Sequence, residues 1–132
     1  MFQKILGAVV GAVVAFAVVT VWQAGTHMIS PPPADMNWRD AEAVAAFMRA
    51  MPAWKYAVVI LGYGVAALVG GWIAALVGKD RGWPTGVPAG LLIMATFANV
   101  YSLPHPVWFP AVAILTILAG GWFSGRIGRK PA

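Results

Sequence analysis

The stretch Trp54–Val77 reads WKYAVVILGYGVAALVGGWIAALV. Past Lys55 it carries no charge, and it exceeds the roughly 20 apolar residues that a helix needs to cross a hydrocarbon core of about 30 Å. Small residues recur in it at every fourth position: Gly62, Ala66, Gly70, Ala74 and, just beyond it, Gly78. Every fourth residue falls on one side of a helix, so this is a continuous small face. In lipid, helices gain little by hiding apolar surface from each other, and close packing over small residues drives association instead.

Three further apolar stretches have similar length, and the expected spans are about 5–23, 54–77, 84–103 and 107–125. Hydrophobic residues make up 61% of the chain and charged residues 10%, with mean hydropathy +0.78. A soluble domain carries about 25% charged residues, too many for this composition. The expectation is one all-α domain over 1–132, an integral membrane four-helix bundle.

Charge placement orients it. With the N-terminus inside, Lys4, Lys79, Arg81, Arg126, Arg129 and Lys130 face the cytoplasm with one acid, Asp80. Arg39, Arg49 and Lys55 lie outside with Asp35, Asp40 and Glu42. Six bases against one acid inside, and three against three outside, predict both termini cytoplasmic. A bacterial inner membrane fits this pattern. Lys4 followed by an apolar run and Ala15-Phe16-Ala17 also has the form of a signal peptide, but the run is long for an h-region of about 7–15 residues. It is read as an uncleaved span.

Trp22, Trp54, Tyr56, Tyr101 and Trp108 are expected at the outer interface, and Trp72, Trp83 and Trp122 at the inner one. The only long loop, Ala24 to Ala53, opens with Pro31-Pro32-Pro33. Asn37 reads as a helix N-cap, and 38–51 as an amphipathic helix. Its apolar face holds Trp38, Ala41, Ala45 and Met48, with Val44, Phe47 and Met51 beside them. The principal expectation is a helix flat on the outer leaflet; the alternative is a lid over the outer ends of the spans.

The candidate helix-packing residues are Gly62, Ala66, Gly70, Gly120 and Ser124. Gly7, Gly11 and Ala15 form a similar stripe in span one, and Gly86 with Gly90 in span three. These faces serve either tight contact within the chain or association with a second copy. Leu68-Val69-Gly70-Gly71-Trp72 also parallels Leu118-Ala119-Gly120-Gly121-Trp122, and Gly78-Lys79 parallels Gly128-Arg129. Either two parallel hairpin repeats or shared membrane pressures explain the likeness.

Chemistry has few places to reside. The chain has no cysteine, which excludes disulfides, thiolate metal sites and Cys nucleophiles. Basic residues sit at helix ends rather than along a groove with exposed aromatics, so no nucleic-acid partner is expected. No Asp, Glu, Lys or Arg lies mid-span, which argues against a proton-coupled carrier or a voltage sensor. Ser30, Ser102 and Ser124 lack a nucleophile-elbow context. His27 and His105 could recruit Asp35 or Glu42 to a metal, but no ligand-spacing motif supports this. No metal, cofactor or enzymatic activity is expected.

Uncharged polar groups do gather in the outer half. Thr20, Gln23 and His27 share a face of span one, Thr96 and Asn99 a face of span three, with His105 beyond and Tyr63 in span two. Where these faces meet they form either hydrogen-bonding glue between helices or an outward-facing ligand pocket.

Pro31-Pro32-Pro33, Asp40-Ala41-Glu42-Ala43, Met51-Pro52, Gly70-Gly71-Trp72-Ile73-Ala74-Ala75 and Pro104-His105-Pro106-Val107-Trp108-Phe109 together resemble a group of small four-span bacterial inner-membrane proteins. The resemblance covers nearly the whole chain through short motifs. It implies the architecture above and a long outer loop with an acidic helix ending at proline. That group has no established activity, so no functional residue carries over. The expected role is a small non-enzymatic membrane protein that assembles with itself or a partner subunit among membrane lipids. The alternative is a transporter or channel-like binder of a small neutral or lipidic molecule.

Overall fold

A computed structural model describes residues 1–127. Gly128, Arg129 and Lys130, which figure in the charge count and the repeat, lie outside the described residues. Among those described, the chain forms five helices and no strand: α1 Phe2–Ile29, α2 Ala41–Ala50, α3 Ala53–Gly78, α4 Trp83–Ser102 and α5 Phe109–Ser124. Two of them, α1 and α3, are long and apolar enough to cross a membrane by length and composition.

Three helices stop for one local reason. Ser30, Met51 and Leu103 each precede a proline and lie outside the helical region, Met51 and Leu103 with extended backbone (ψ 129° and 145°) and Ser30 at ψ 78°. Proline's ring disfavours the helical region for the residue before it. Nothing breaks the helix at 23, where the first span is expected to end, and α1 continues to Ile29. The α2 boundary is corrected. Asp40, not Asn37, is the N-cap, accepting hydrogen bonds from the Glu42 and Ala43 amides at 3.0 and 3.4 Å. A carboxylate suits the positive helix end, while Asn37 closes the preceding turn through the Arg39 amide.

The four long helices pack side by side with α3 in the centre, touching α1, α4 and α5; α4 also touches α1 and α5. Small residues set the closeness of the α1–α3 and α3–α5 contacts. A Cβ on Gly7 or Gly11 would lie 2.5 Å from the carbonyl oxygen of Ala74 or Gly70. On Gly70 it would meet Ala15 Cβ and the Gly11 oxygen at 2.7 Å, and on Gly120 the Gly64 oxygen at 2.5 Å. Ser124 is buried against Gly71, and Ala66 is fully buried. Gly62 accommodates the Trp22 indole, whose Nε1 donates to the Val58 carbonyl at 2.8 Å.

The packing does not follow a two-hairpin repeat. Gly7 and Gly11 of α1 face α3, but the corresponding Gly86 and Gly90 of α4 have nothing within 4 Å of an added Cβ. The α3–α4 pair packs directly, whereas α1 and α5 do not meet.

At one end of the molecule, α1 is tied to the α3–α4 turn. Lys4 pairs with Asp80 at 3.0 Å, and Gln3 donates to the Val77 carbonyl at 3.2 Å. Lys79 takes the left-handed conformation, φ 52°, which ends α3 as an αL cap usually does. The Asp80 carboxylate also accepts from the Gly82 amide at 2.6 Å. That bond first, and Lys4 second, hold its pKa below the usual carboxylate value.

Two predictions follow from this packing and this tie. Gly11→Ala and Gly70→Ala should each destabilise by about 1–3 kcal/mol, as overpacking does. Gly86→Ala and Gly90→Ala should stabilise by about 0.5–1 kcal/mol each, as at an open helical site. Thermal denaturation of the four variants checks the contrast, and equal effects at all four positions would contradict the packing. For Asp80, a depressed folded pKa means that its stabilisation is present above the ordinary carboxyl value and is lost as pH falls through the folded one. Wild-type melting temperature should therefore fall more steeply than that of Asp80→Asn below about pH 4, and parallel curves would remove the tie.

Candidate functional site

At the opposite end, α2 packs down onto the long helices. This replaces the principal expectation of a helix flat on the outer leaflet with the lid geometry. Val44 and Met48 are buried in the main core, and Phe47, Met51 and Met36 pack against it. The Tyr56 hydroxyl donates to the Met48 carbonyl at 2.6 Å, which is one of the last carbonyls of α2. That carbonyl also accepts from the Met51 amide at 3.2 Å, so the Tyr56 hydroxyl is its second donor and fastens the lid to α3.

Beneath α2 lies a half-open cavity of about 410 Å³. Its roof is Trp38, Val44, Phe47, Met48 and Met51. Gln23, Thr26 and His27 of α1 form one wall, and Tyr56, Val59 and Tyr63 of α3 another. Asn99 and Leu103 from α4 and its end, His105 from the following turn, and Phe109 of α5 complete it. The lining has no Asp, Glu, Lys or Arg. A smaller recess of about 220 Å³ shares Met48, Met51, Tyr56 and His105 and adds Arg49, Pro104 and Pro106.

The structure thus brings Gln23, His27, Tyr63, Asn99 and His105 to one cavity from four separate segments. Tyr63 and Asn99 interact through their side chains. Thr20 and Thr96 are not part of it. Thr20 is exposed and donates to its own Phe16 carbonyl at 2.8 Å. Thr96 is 1% exposed and donates to the Leu92 carbonyl at 2.8 Å. Thr20 lies about 10 Å down the helix axis from His27, seven residues at 1.5 Å each, beyond the cavity lining.

Hydrogen-bonding glue is not what these hydroxyls provide. Thr20, Thr26, Thr96 and Thr116 all donate to the carbonyl four residues earlier, a common refuge for a hydroxyl within a helix. Among the described residues, the side-chain hydrogen bonds from one helix to the backbone of another come from Gln3, Trp22 and Tyr56.

Several lining positions are not evident from polarity alone. Tyr56, expected at an interface, is instead 3% exposed. Its ring centroid lies 5.6 Å from Phe109, 6.0 Å from His105 and 6.2 Å from Trp108. His105 stacks at 4.5 Å over Phe109 with a 35° tilt. Its Nδ1 lies 3.0 Å from the Leu103 carbonyl oxygen. A carbonyl only accepts, so Nδ1 carries a proton, and when the ring is neutral Nε2 presents a lone pair. Thr26 could have been found as the i+3 neighbour of Gln23. Phe109 falls in the Pro104–Phe109 motif, but nothing there marks it as a cavity residue.

Among the described residues no group of three or more His, Cys, Asp or Glu converges as a metal site would. His27 and His105 do reach one cavity, but neither Asp35 nor Glu42 joins them there. Comparison with protein-family models, with curated proteins and with solved structures finds no match for this chain.

Proposed function

We propose that this chain crosses a bacterial inner membrane four times, with both termini cytoplasmic, and binds a small neutral or lipidic molecule in its outer cavity. The reading of α4 and α5 as spans is supported by their outward faces. Leu91, Met94 and Phe97 of α4, and Val112, Leu115 and Leu118 of α5, are exposed, as are Val9, Val13 and Phe16 of α1 and Leu61 and Leu76 of α3. So much apolar surface on every side suits a lipid solvent rather than water. The excess of Lys and Arg at the Asp80 end supports the orientation.

The cavity carries the binding reading. It is concave, mostly apolar, and contains a few convergent polar groups, the usual composition of a small-molecule site. With no ionic lining residue it would leave a fully charged ligand poorly compensated. Passage of the molecule, as a transporter or channel-like binder, is the corresponding role. We take the role to be non-enzymatic, because the lining offers no carboxylate pair and no activated nucleophile.

One observation favours assembly as a second role. The Gly70 and Gly120 faces are occupied within the protein, but Gly86 and Gly90 lie open on α4. That leaves one small face for a second copy or a partner subunit.

Native mass spectrometry from polymer-extracted membranes tests both readings. Gln23→Leu with Asn99→Leu should lose a co-purifying small mass by at least about tenfold while melting like wild type, given about 1 kcal/mol per lost hydrogen bond. Undiminished retention would remove the binding role. Gly86→Leu with Gly90→Leu should shift the same spectra toward monomer, and an unchanged copy number would remove self-assembly through α4.

A further inference from the structure

The ligand class follows from where the cavity's protons already are, and this inference rests on the binding role proposed above. Three polar side chains in the lining have committed their hydrogens to main-chain carbonyls. Thr26 Oγ donates to Trp22 at 2.8 Å, Tyr56 Oη to Met48 at 2.6 Å, and His105 Nδ1 to Leu103 at 3.0 Å. Each bond is made to a local carbonyl or to the lid, so binding a ligand does not free the hydrogen. What each group retains is a lone pair: on Oγ, on Oη and on Nε2.

The amides of Gln23 and Asn99 can either donate or accept. The Tyr63 hydroxyl, the Trp38 indole N–H and an N–H of His27 also line the cavity, so it offers acceptors and donors together. A ketone, ester or ether head can use only the donors and leaves the three lone pairs unmet. A hydroxyl serves both kinds of partner, since it donates one hydrogen and accepts through oxygen. An ammonium head would also donate, but the cavity holds no carboxylate to offset its charge, and Arg49 lines the adjoining recess. Apolar roof and wall side chains surround these groups, which suits a hydrocarbon body.

We propose that the cavity takes the hydroxyl head of a neutral, alcohol-headed membrane amphiphile, which donates its hydrogen to the acceptor side of the cavity. His105 Nε2 is the best-placed acceptor for testing. Its ring stacks on Phe109, so phenylalanine can keep the packing while removing the lone pair.

The test uses three probes with the same fourteen-carbon chain: tetradecanol, its methyl ether and tetradecylammonium. Each is added to the full-length protein in polymer nanodiscs, and bound probe is counted by native mass spectrometry. The alcohol should be retained about tenfold better than the ether, the size of effect expected for one hydrogen bond at a partly dry site. The ammonium should do no better than the ether. His105→Phe should erase the alcohol's advantage over the ether. Thr26→Val, a replacement of similar shape, should reduce the same advantage and guards against a misfolded His105 variant.

Equal retention of alcohol and ether by wild type would overturn the hydroxyl assignment while the binding role stands. Preferential retention of the ammonium would overturn it in favour of a cationic head. Retention of no probe, together with no co-purifying mass, would overturn the binding role itself.

Discussion

Close backbone approach along α3 is the constraint on which the rest of this structure depends. Gly70 lies against Gly11 and Ala15 of α1, while Gly64 and Ala67 lie against Gly120 of α5. Helices this close gain dispersion contacts along their length, and in lipid that is the main attraction available to them. The same α3 carries a different class of side chain toward its N-terminus. There Gly62 receives the Trp22 indole, and Tyr56 and Tyr63 point into the interior. Small residues close the packing toward the Asp80 end, aromatic ones occupy the other, and the cavity lies at the aromatic end.

The lid depends on that arrangement. The α2 backbone makes no close approach to the other helices, so side chains hold it in place. Val44 and Met48 fill the core from above, and the Tyr56 hydroxyl bonds to the Met48 carbonyl. Trp38 meets Phe47 edge-on at 6.0 Å, which closes the roof from the loop side. Local openings cost least where backbone packing is sparse. A helix held mainly by side chains over a cavity is therefore the part of this protein best suited to admit a ligand.

Polar chemistry within the helices is handled locally. Four threonines return their hydrogens to their own helices, and Ser124 donates to Gly121 at 2.6 Å. No buried side-chain nitrogen or oxygen among the described residues lacks a partner. Of these hydroxyls only that of Thr26 lines the cavity, and it leaves a lone pair there.

Sequence alone determined the features that follow from local chemistry. Apolar length gave the helices, and Pro52 marked where α2 stops, since the clash with a preceding residue needs no tertiary partner. The stripe through Gly62, Ala66 and Gly70 showed which side of α3 packs closely. Gln23, His27, Tyr63, Asn99 and His105 were legible as polar residues clustered toward one end. Only the tertiary structure decided which of them meet. Thr20 and Gln23 are one turn apart, yet Gln23 lines the cavity and Thr20 does not, because the lining extends only so far down α1. Likewise α2 is amphipathic whether it lies on a membrane or covers other helices. Its role as a lid came from Val44 and Met48 finding a core to enter and from Tyr56 reaching the Met48 carbonyl, contacts between segments that no local pattern encodes.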